Sequence, residues 1–214
     1  MWVATAMSVF SRLFLWGAVS VERNETLVTK VVAPVRQAAV RGRPILWATD
    51  GFAAWAKAIG KVFRDPVYVK KPGRPRLVLW AELQIVQVVK QYVQRRVVGV
   101  ERRLVQGCWP VAQELVMQTQ VGLGLFNTAY IERFNATLRT WLPSLTRRTR
   151  TPARRRAQME DALFWTGCMY NFCHVHASLD GTPAMAAGLT ERVWSVHDLI
   201  FCFRFRREKL HAIL

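Results

Sequence analysis

One short apolar run between two helical patterns constrains the fold of this chain more than any other feature. Residues 45–49 carry no charge and are followed directly by Asp50 and Gly51. The run is too short for a typical helix, and polar residues do not alternate with its apolar ones. Both features are characteristic of a strand buried on both faces of its sheet. We therefore expect an α/β fold in which Asp50 ends a strand buried by neighbours on both sides.

The segments around this strand predict the order strand, strand, helix, strand, helix. Two apolar runs, 2–10 and 13–21, are separated by a short polar break, which is typical of a β-hairpin. Asn24 can cap the helix that follows, and this helix is expected to extend to about Val40. A second helix is expected over 52–63. This order indicates a mixed α/β protein, in which strand–helix–strand connections within one sheet are normally right-handed crossovers.

The middle of the chain has a less regular pattern. Residues 64–76 are basic and rich in Pro and Gly, which predicts a loop. The Val-rich residues 83–105 predict two strands divided by a polar turn, and a helix over 81–92 fits nearly as well.

Three helices are predicted in the second half of the chain. They cover residues 110–120, the residues from 127 to Pro143, and residues 155–176. The middle one is clearly amphipathic, because apolar residues recur along it in steps of three and four. These residues are Ile131, Phe134, Leu138 and Trp141.

The charge of the chain points to a polyanionic partner. Thirty-one Lys and Arg residues against 14 Asp and Glu residues give a net charge of +17, with a pI near 11.0. This balance favours nucleic acid or an anionic membrane surface over the substrates of a soluble metabolic enzyme. The apolar content of 51% is sufficient for a buried core and excludes wholesale disorder.

A membrane partner and secretion are not expected. Arg12 divides the apolar N-terminal stretch, and neither part approaches the roughly 20 apolar residues of a spanning helix. A signal peptide would need a basic segment ahead of this stretch, and the sequence shows none there. The four cysteines form no C-x-x-C pair, so we expect reduced thiols and a cytoplasmic location.

Two carboxylates occupy positions that suit phosphoryl-transfer chemistry. Asp50 follows a strand, and ligands of open α/β sheets gather at the carboxyl ends of strands. Glu132 lies early in a predicted helix, and Asn135 and Arg139 share its face. Mg²⁺ prefers carboxylate oxygens, and paired ions activate the attacking hydroxyl and stabilise the leaving oxygen. Taken alone, however, an Asp-Gly pair is most often a turn and a helical Glu a solvated charge.

The sequence motifs around these two carboxylates are more specific than the carboxylates alone. Residues 47–52 read W-A-T-D-G-F, residues 127–139 read N-T-A-Y-I-E-R-F-N-A-T-L-R, and residues 145–149 read L-T-R-R-T. The chain resembles a bacterial insertion-sequence DDE transposase, of the type of the insertion-sequence family "one" group. The resemblance continues through residues 170–190 and covers most of the chain from 2 to about 203.

This resemblance implies an RNase H-like (integrase/transposase) core in which Asp, Asp and Glu hold two Mg²⁺ (or Mn²⁺) ions. It assigns Asp50 as the second carboxylate and Glu132 as the third, both catalytic and metal-binding. Such enzymes cleave each transposon end and transfer the freed 3′-hydroxyl to target DNA. The implied partner is double-stranded DNA, on which the protein can form a homo-oligomer, and the implied location is the bacterial nucleoid within the cytoplasm.

The first carboxylate of the family pattern is missing. In that pattern it lies in a D-E-x-W type motif upstream of the stretch that matches residues 2–6, and this chain has no acidic residue before Glu22. Three explanations stay open: the true start lies upstream, the upstream part belongs to another reading frame, or this is a decayed copy. The expected core is therefore N-terminally truncated and followed by C-terminal helices.

Basic residues near the two motifs are candidate DNA contacts. Between Glu132 and Glu160 there are eight arginines and no acidic residue. A second basic segment surrounds Gly73-Arg74-Pro75, which can act as a minor-groove hook or as a flexible loop without groove specificity. The candidates are Arg133, Asn135, Arg139, Arg147, Arg148, Lys71, Arg74 and Arg76.

The predicted organisation has two parts. Residues 1–145 form the partial DDE core, with a basic insertion around 64–82, and residues 146–214 form a basic linker and a C-terminal helical extension. The expected function is Mg²⁺-dependent cleavage and strand transfer of transposon-end DNA. The alternatives are a catalytically inactive DNA-binding transposase remnant and a basic structural or RNA-binding protein, which explains the charge but not the motifs.

Overall fold

A computed structural model of the chain describes residues 1–68, 73–119, 124–146, 150–151 and 153–205. Within these residues the chain forms seven strands and seven helices. The strands are β1 (Trp2–Met7), β2 (Phe14–Ser20), β3 (Ile45–Asp50), β4 (Arg64–Val67), β5 (Arg76–Leu79), β6 (Leu83–Val93) and β7 (Arg96–Gln106). The helices are α1 (Glu25–Ala38), α2 (Ala53–Val62), α3 (Trp109–Gln118), α4 (Ala129–Trp141), α5 (Arg156–Phe172), α6 (Pro183–Ala186) and α7 (Val196–Phe205).

The chain divides into two compact units. The hairpin-helix unit contains Met1–Arg23 and Ala129–Leu214, and the sheet unit contains Asn24–Thr128. The predicted division at residue 145 concerns function and stays a prediction.

The hairpin-helix unit is built on the antiparallel pair β1 and β2, which confirms the predicted hairpin. Helix α5 packs on β2 so closely that Gly167 faces the ring of Phe14. Phe14 also stacks on Phe134 of α4, with ring centroids 5.3 Å apart. The apolar stripe of α4 is therefore the side that meets this core, and Phe134 and Leu138 are each only 2% exposed.

The sheet unit contains a three-stranded sheet in the order β3, β6, β7. β3 pairs in parallel with β6, and β6 pairs antiparallel with β7. Helix α1 begins where predicted, since the Asn24 side chain accepts a hydrogen bond from the backbone N–H of Leu27 at 3.1 Å. Helices α1 and α2 bury apolar side chains against this sheet in one cluster with Trp80.

The prediction that β3 is buried by neighbours on both sides is wrong. Within the described residues β3 pairs with β6 alone and is an edge strand of its sheet. Its side chains are mostly half-buried, with Thr49 buried and Asp50 exposed. A run of apolar residues therefore marked an edge strand covered by helices, a case in which length and composition resemble those of a central strand.

The prediction of a loop over 64–76 is wrong at the two ends of this segment, where β4 and β5 pair as antiparallel strands, and residues 69–72 lie outside the described residues. A partly buried polar cluster around Asp65 accounts for this pairing. Its carboxylate accepts a hydrogen bond from Trp80 Nε1 at 2.9 Å and forms ion pairs with Arg36 and Arg41. Tertiary contacts thus order a segment whose composition favours a loop.

Residues 83–105 form two strands, and the alternative helix over 81–92 is not present. β6 and β7 are joined by Gln94 and Arg95, whose φ angles are +46° and +66°. Two consecutive positive φ angles are typical of a type I′ turn, which matches the twist of a two-residue hairpin. The sequence contains no Asn-Gly or Asp-Gly here, so this turn type was not predicted.

The five predicted helices are confirmed as α1 to α5, with ends that differ from the predicted ones by a few residues. α1 ends at Ala38 and not at Val40, and α5 ends at Phe172 and not at residue 176. The fold is mixed α/β, as predicted.

Substitution of Gly167 by Ala should destabilise the protein. An added Cβ would lie 2.1 Å from the Phe14 ring, inside a packed core, and overpacking of this kind costs about 1–3 kcal/mol. Gly60 in α2 is the matched control, because its Cβ would meet no atom within 4 Å. Gly60→Ala should stabilise by up to about 1 kcal/mol through helix propensity. Thermal and urea unfolding measure both changes, and equal effects of the two substitutions would contradict the packing described.

Candidate functional site

Asp50 is the last residue of β3 and is exposed. Its Oδ1 accepts a hydrogen bond from the backbone N–H of Phe52 at 3.1 Å, and Phe52 is the residue that precedes α2. This bond shapes the turn between strand and helix. Asp50 therefore combines a structural role in the turn with the exposed position that a ligand-binding carboxylate needs.

Glu132 lies in the first turn of α4 and is exposed, as is the neighbouring Arg133. Because α4 is a regular helix from Ala129 to Trp141, Glu132 shares a face with Asn135 and Arg139, as predicted from their spacing. A carboxylate in the first turn is also favoured by the helix dipole. Asp50 belongs to the sheet unit and Glu132 to the hairpin-helix unit.

Asn135 has a partner that the sequence did not reveal. Its Oδ1 accepts a hydrogen bond from the hydroxyl of Thr5 at 2.8 Å, so that the side chain joins α4 to β1. Thr5 is buried and Asn135 half-buried. Asn135 was predicted as a DNA-binding neighbour of Glu132, and its contact within the protein shows that it also positions α4.

The other predicted DNA contacts lie on different parts of the chain. Arg139 is exposed near the end of α4, and Arg74 and Arg76 are exposed before and at the start of β5. Lys71, Arg147 and Arg148 lie outside the described residues. Their roles stay predictions.

The hairpin-helix unit contains a cavity of about 280 Å³ that sequence reasoning did not find. It is formed by the end of β1 and the turn after it, by one face of α4, and by the segment that follows α5. The lining residues are Met7, Arg12, Tyr130, Arg133, Phe134, Thr137, Tyr170, His174, His176, Ala177 and Ser178.

Aromatic contacts fix the walls of this cavity. Tyr170 packs against Phe134 with ring centroids 4.8 Å apart and stacks on His174 at 5.8 Å. The guanidinium carbon of Arg12 lies 3.6 Å from the centroid of the Tyr130 ring, which is a close cation–π contact. The cavity therefore has a rigid aromatic frame that carries polar groups.

The cavity is electropositive. The pKa of His176 is lowered by burial and by the positive charges of Arg12, His174 and Arg133. Burial raises the pKa of Tyr170, although the same two arginines act in the opposite direction. Both effects on the histidine favour its neutral form at pH 7.

Sequence signals for the cavity were present but were interpreted otherwise. Arg12 appeared as the polar break of the hairpin, and its φ of +59° marks a conformation that is uncommon for a residue other than Gly. His176 and Ser178 belong to a stretch that contributed to the family resemblance. What the sequence could not give is the proximity of a turn near residue 12 to a loop near residue 176.

The described residues meet the requirements of Mg²⁺ for ligand type but not for ligand number. Asp50 and Glu132 offer the right ligand type, since Mg²⁺ prefers carboxylate oxygens. Among the described residues, however, no group of three or more His, Cys, Asp or Glu side chains is placed to hold a metal ion. The described residues therefore do not provide the ligand number of a three-carboxylate site. The cysteines are free thiols, and burial raises the pKa of Cys168 to about 12.

No protein-family model matches the chain, and neither the curated proteins nor the solved structures yield a match. Within the described part of the chain, no helix is both long and apolar enough to cross a membrane.

Removal of the bond between Thr5 and Asn135 should destabilise the protein by about 1 kcal/mol. Thr5→Val and Asn135→Ala each leave one polar group without its partner, and the double variant should lose less than the sum. Thr140→Val is the control, because the Thr140 hydroxyl bonds only to the Ala136 carbonyl on an exposed helix face. Thermal unfolding measures the stability of all four variants. An Asn135→Ala protein as stable as the parent would show that Asn135 does not position α4.

Proposed function

We propose that this chain is the catalytic part of a DNA transposase of the DDE type, built on an RNase H-like core. It acts on transposon-end DNA by cleavage and strand transfer. Asp50 and Glu132 are the proposed catalytic carboxylates, and the bound metal, Mg²⁺ or Mn²⁺, would supply Lewis-acid chemistry at the scissile phosphate. The proposed location is the bacterial nucleoid.

The observation that carries this proposal is the position of Asp50. It is exposed at the carboxyl end of β3, a strand that pairs in parallel with β6, and this is the edge at which open α/β sheets bind ligands. The motif around residues 47–52 is also the one that resembles the second-Asp motif of the transposases.

Glu132 supports the proposal from the second motif. It is exposed in the first turn of α4, whose opposite side is packed on the β1–β2 hairpin through Phe134. The exposed side also carries Arg133 and Arg139, which suit contacts with the DNA backbone. A helix that presents one carboxylate among cations is an arrangement suited to a polyanionic substrate.

A second candidate function is a catalytically inactive DNA-binding remnant. It is favoured by the composition of β1 and β2, whose residues Trp2–Met7 and Phe14–Ser20 include no carboxylate. The resemblance places the first Asp upstream of β1. With two carboxylates, octahedral geometry for two Mg²⁺ ions is poorly fixed, and DNA binding without cleavage would follow.

Strand cleavage tests the proposal and separates it from this alternative. The substrate is duplex DNA carrying the inverted repeats that flank the coding sequence, with Mg²⁺ or Mn²⁺. The proposal predicts cleavage that falls at least about 100-fold in Asp50→Asn and in Glu132→Gln, as expected when transition-state charge stabilisation is lost. Asp161→Asn, which removes an exposed carboxylate from α5, is the control and should retain activity.

Cleavage that both substitutions leave unchanged would contradict the assigned carboxylates. Binding of the repeat DNA without cleavage by the parent protein would support the inactive remnant. Restoration of cleavage by a chain extended upstream through a D-E-x-W motif would show that the missing carboxylate was the cause.

A further inference from the structure

The cavity of the hairpin-helix unit collects cationic and donor groups from three separate chain segments. Arg12 comes from the turn after β1, Arg133 from α4, and His174 and His176 from the segment after α5. Hydroxyl donors are also present, among them Ser178. None of the described residues that line the cavity is acidic. The cavity is therefore a concave surface with positive potential and without an internal counter-charge.

Arg12 is the most unusual of these residues. Its exposure is only 8%, and its φ of +59° places a residue with a Cβ in the left-handed region. Its partners are the Val9 carbonyl, which accepts a hydrogen bond from Nη1, and the Tyr130 ring. Neither partner carries a negative charge. Burial of a cation and a strained backbone both cost free energy, and such costs are concentrated at binding sites.

The wall of the cavity formed by His174, His176 and Ser178 is also held in place by several contacts. His174 packs edge-on against Trp141, with centroids 5.0 Å apart, and stacks on Tyr170. The Nδ1 of His176 lies 3.0 Å from the hydroxyl of Ser178, and the backbone N–H of His176 donates to the Gly181 carbonyl at 2.8 Å. These contacts hold the imidazole and hydroxyl groups in place before any ligand arrives, which lowers the entropy cost of binding.

We propose that this cavity is a phosphate-binding site, in which Arg12 and Arg133 hold the oxygens of one phosphate group beside His174 and His176. Guanidinium groups bind phosphate through two parallel N–H bonds, and two arginines that line the same cavity suit a tetrahedral anion. The two guanidinium groups disfavour a metal cation at this position.

The size of the cavity fits this ligand. About 280 Å³ is at the lower limit of small-molecule pockets, which range over about 300–1,000 Å³, and it suits one phosphate with its neighbouring sugar atoms. Arg133 and Ser178 are exposed, so the cavity opens to solvent and is accessible to a polymer. The phosphate can come from a DNA backbone or from a free phosphate ester, and DNA as the source rests on the proposed function.

Phosphate binding is measured on the full chain by NMR of the histidine ring C–H groups during titration with inorganic phosphate at constant ionic strength. His174 and His176 should shift together and reach saturation, whereas His197, which does not line the cavity, should stay unchanged. Equal shifts of His174, His176 and His197, or shifts that do not reach saturation with phosphate, would overturn the proposal.

Arg133→Gln is the main variant, because Arg133 is exposed and its loss should leave the fold intact. Phosphate affinity should fall about tenfold or more, the effect expected from loss of one charged donor. Arg12→Lys keeps the charge but removes the planar donor pair, and should weaken binding as well. Arg154→Gln removes an exposed arginine of the same unit that does not line the cavity. An equal loss in Arg154→Gln would show general charge attraction and overturn the site.

Competition identifies the source of the phosphate. Displacement of inorganic phosphate by a short DNA duplex supports a DNA backbone phosphate as the ligand, and failure of DNA to displace it supports a free phosphate ester. A protein that binds phosphate but never cleaves DNA would support this site and count against the proposed function. A protein that cleaves DNA but does not bind phosphate would count against this site alone.

Discussion

The hydrogen bonds between Asn171 and Phe14 connect helix α5 to the β1–β2 hairpin. The Asn171 side chain accepts from the backbone N–H of Phe14 and donates to its carbonyl, both at 2.8 Å, and Asn171 is only 2% exposed. These two bonds satisfy both backbone groups at the start of β2, where buried polar groups without partners would be costly. They tie α5 to the hairpin across 157 residues of sequence. The Phe14 ring then packs on Phe134, so the orientation of α4 follows from the same junction.

The proposed sites depend on this junction in different ways. α4 buries Phe134 in the core and thereby exposes Glu132 and Arg133, the first as a candidate catalytic carboxylate and the second as a phosphate ligand. The cavity needs the turn at Arg12 and the loop at His176 to meet, and both are anchored to the ends of elements that the junction joins. Part of the positive charge behind the net charge of +17 lies in the cavity, whose described lining contains two arginines and no acidic residue. Charge that composition reports only as a total is thus concentrated where a phosphate could bind.

The sequence predicted local structure well where periodicity and capping determine it. The hairpin, the Asn24 cap and the stripe of α4 all follow from nearest-neighbour patterns, and the structure confirms them. It failed where distant residues decide the outcome. Asp65 orders β4 and β5 through arginines 24 and 29 residues away in sequence, counted from Arg41 and Arg36. Similarly, Arg12 becomes part of a cavity only because a loop more than 150 residues later lies beside it. The positions of the candidate carboxylates on their own elements were predicted, whereas the cavity depends on a spatial proximity that spacing along the sequence does not contain.

The central claim of this account is that DNA is the partner of the chain, recognised through phosphate contacts and through its ends. Its most direct test is the affinity of the full chain for duplex DNA that carries the flanking inverted repeat, measured over a series of salt concentrations beside a scrambled duplex of equal length. The account predicts that the logarithm of the binding constant falls linearly with the logarithm of salt, by about 0.9 for each phosphate neutralised, with a slope of several units. It also predicts tighter binding of the repeat than of the scrambled duplex at every salt concentration. Weak binding that is independent of salt, or equal binding of the two duplexes throughout, would contradict it.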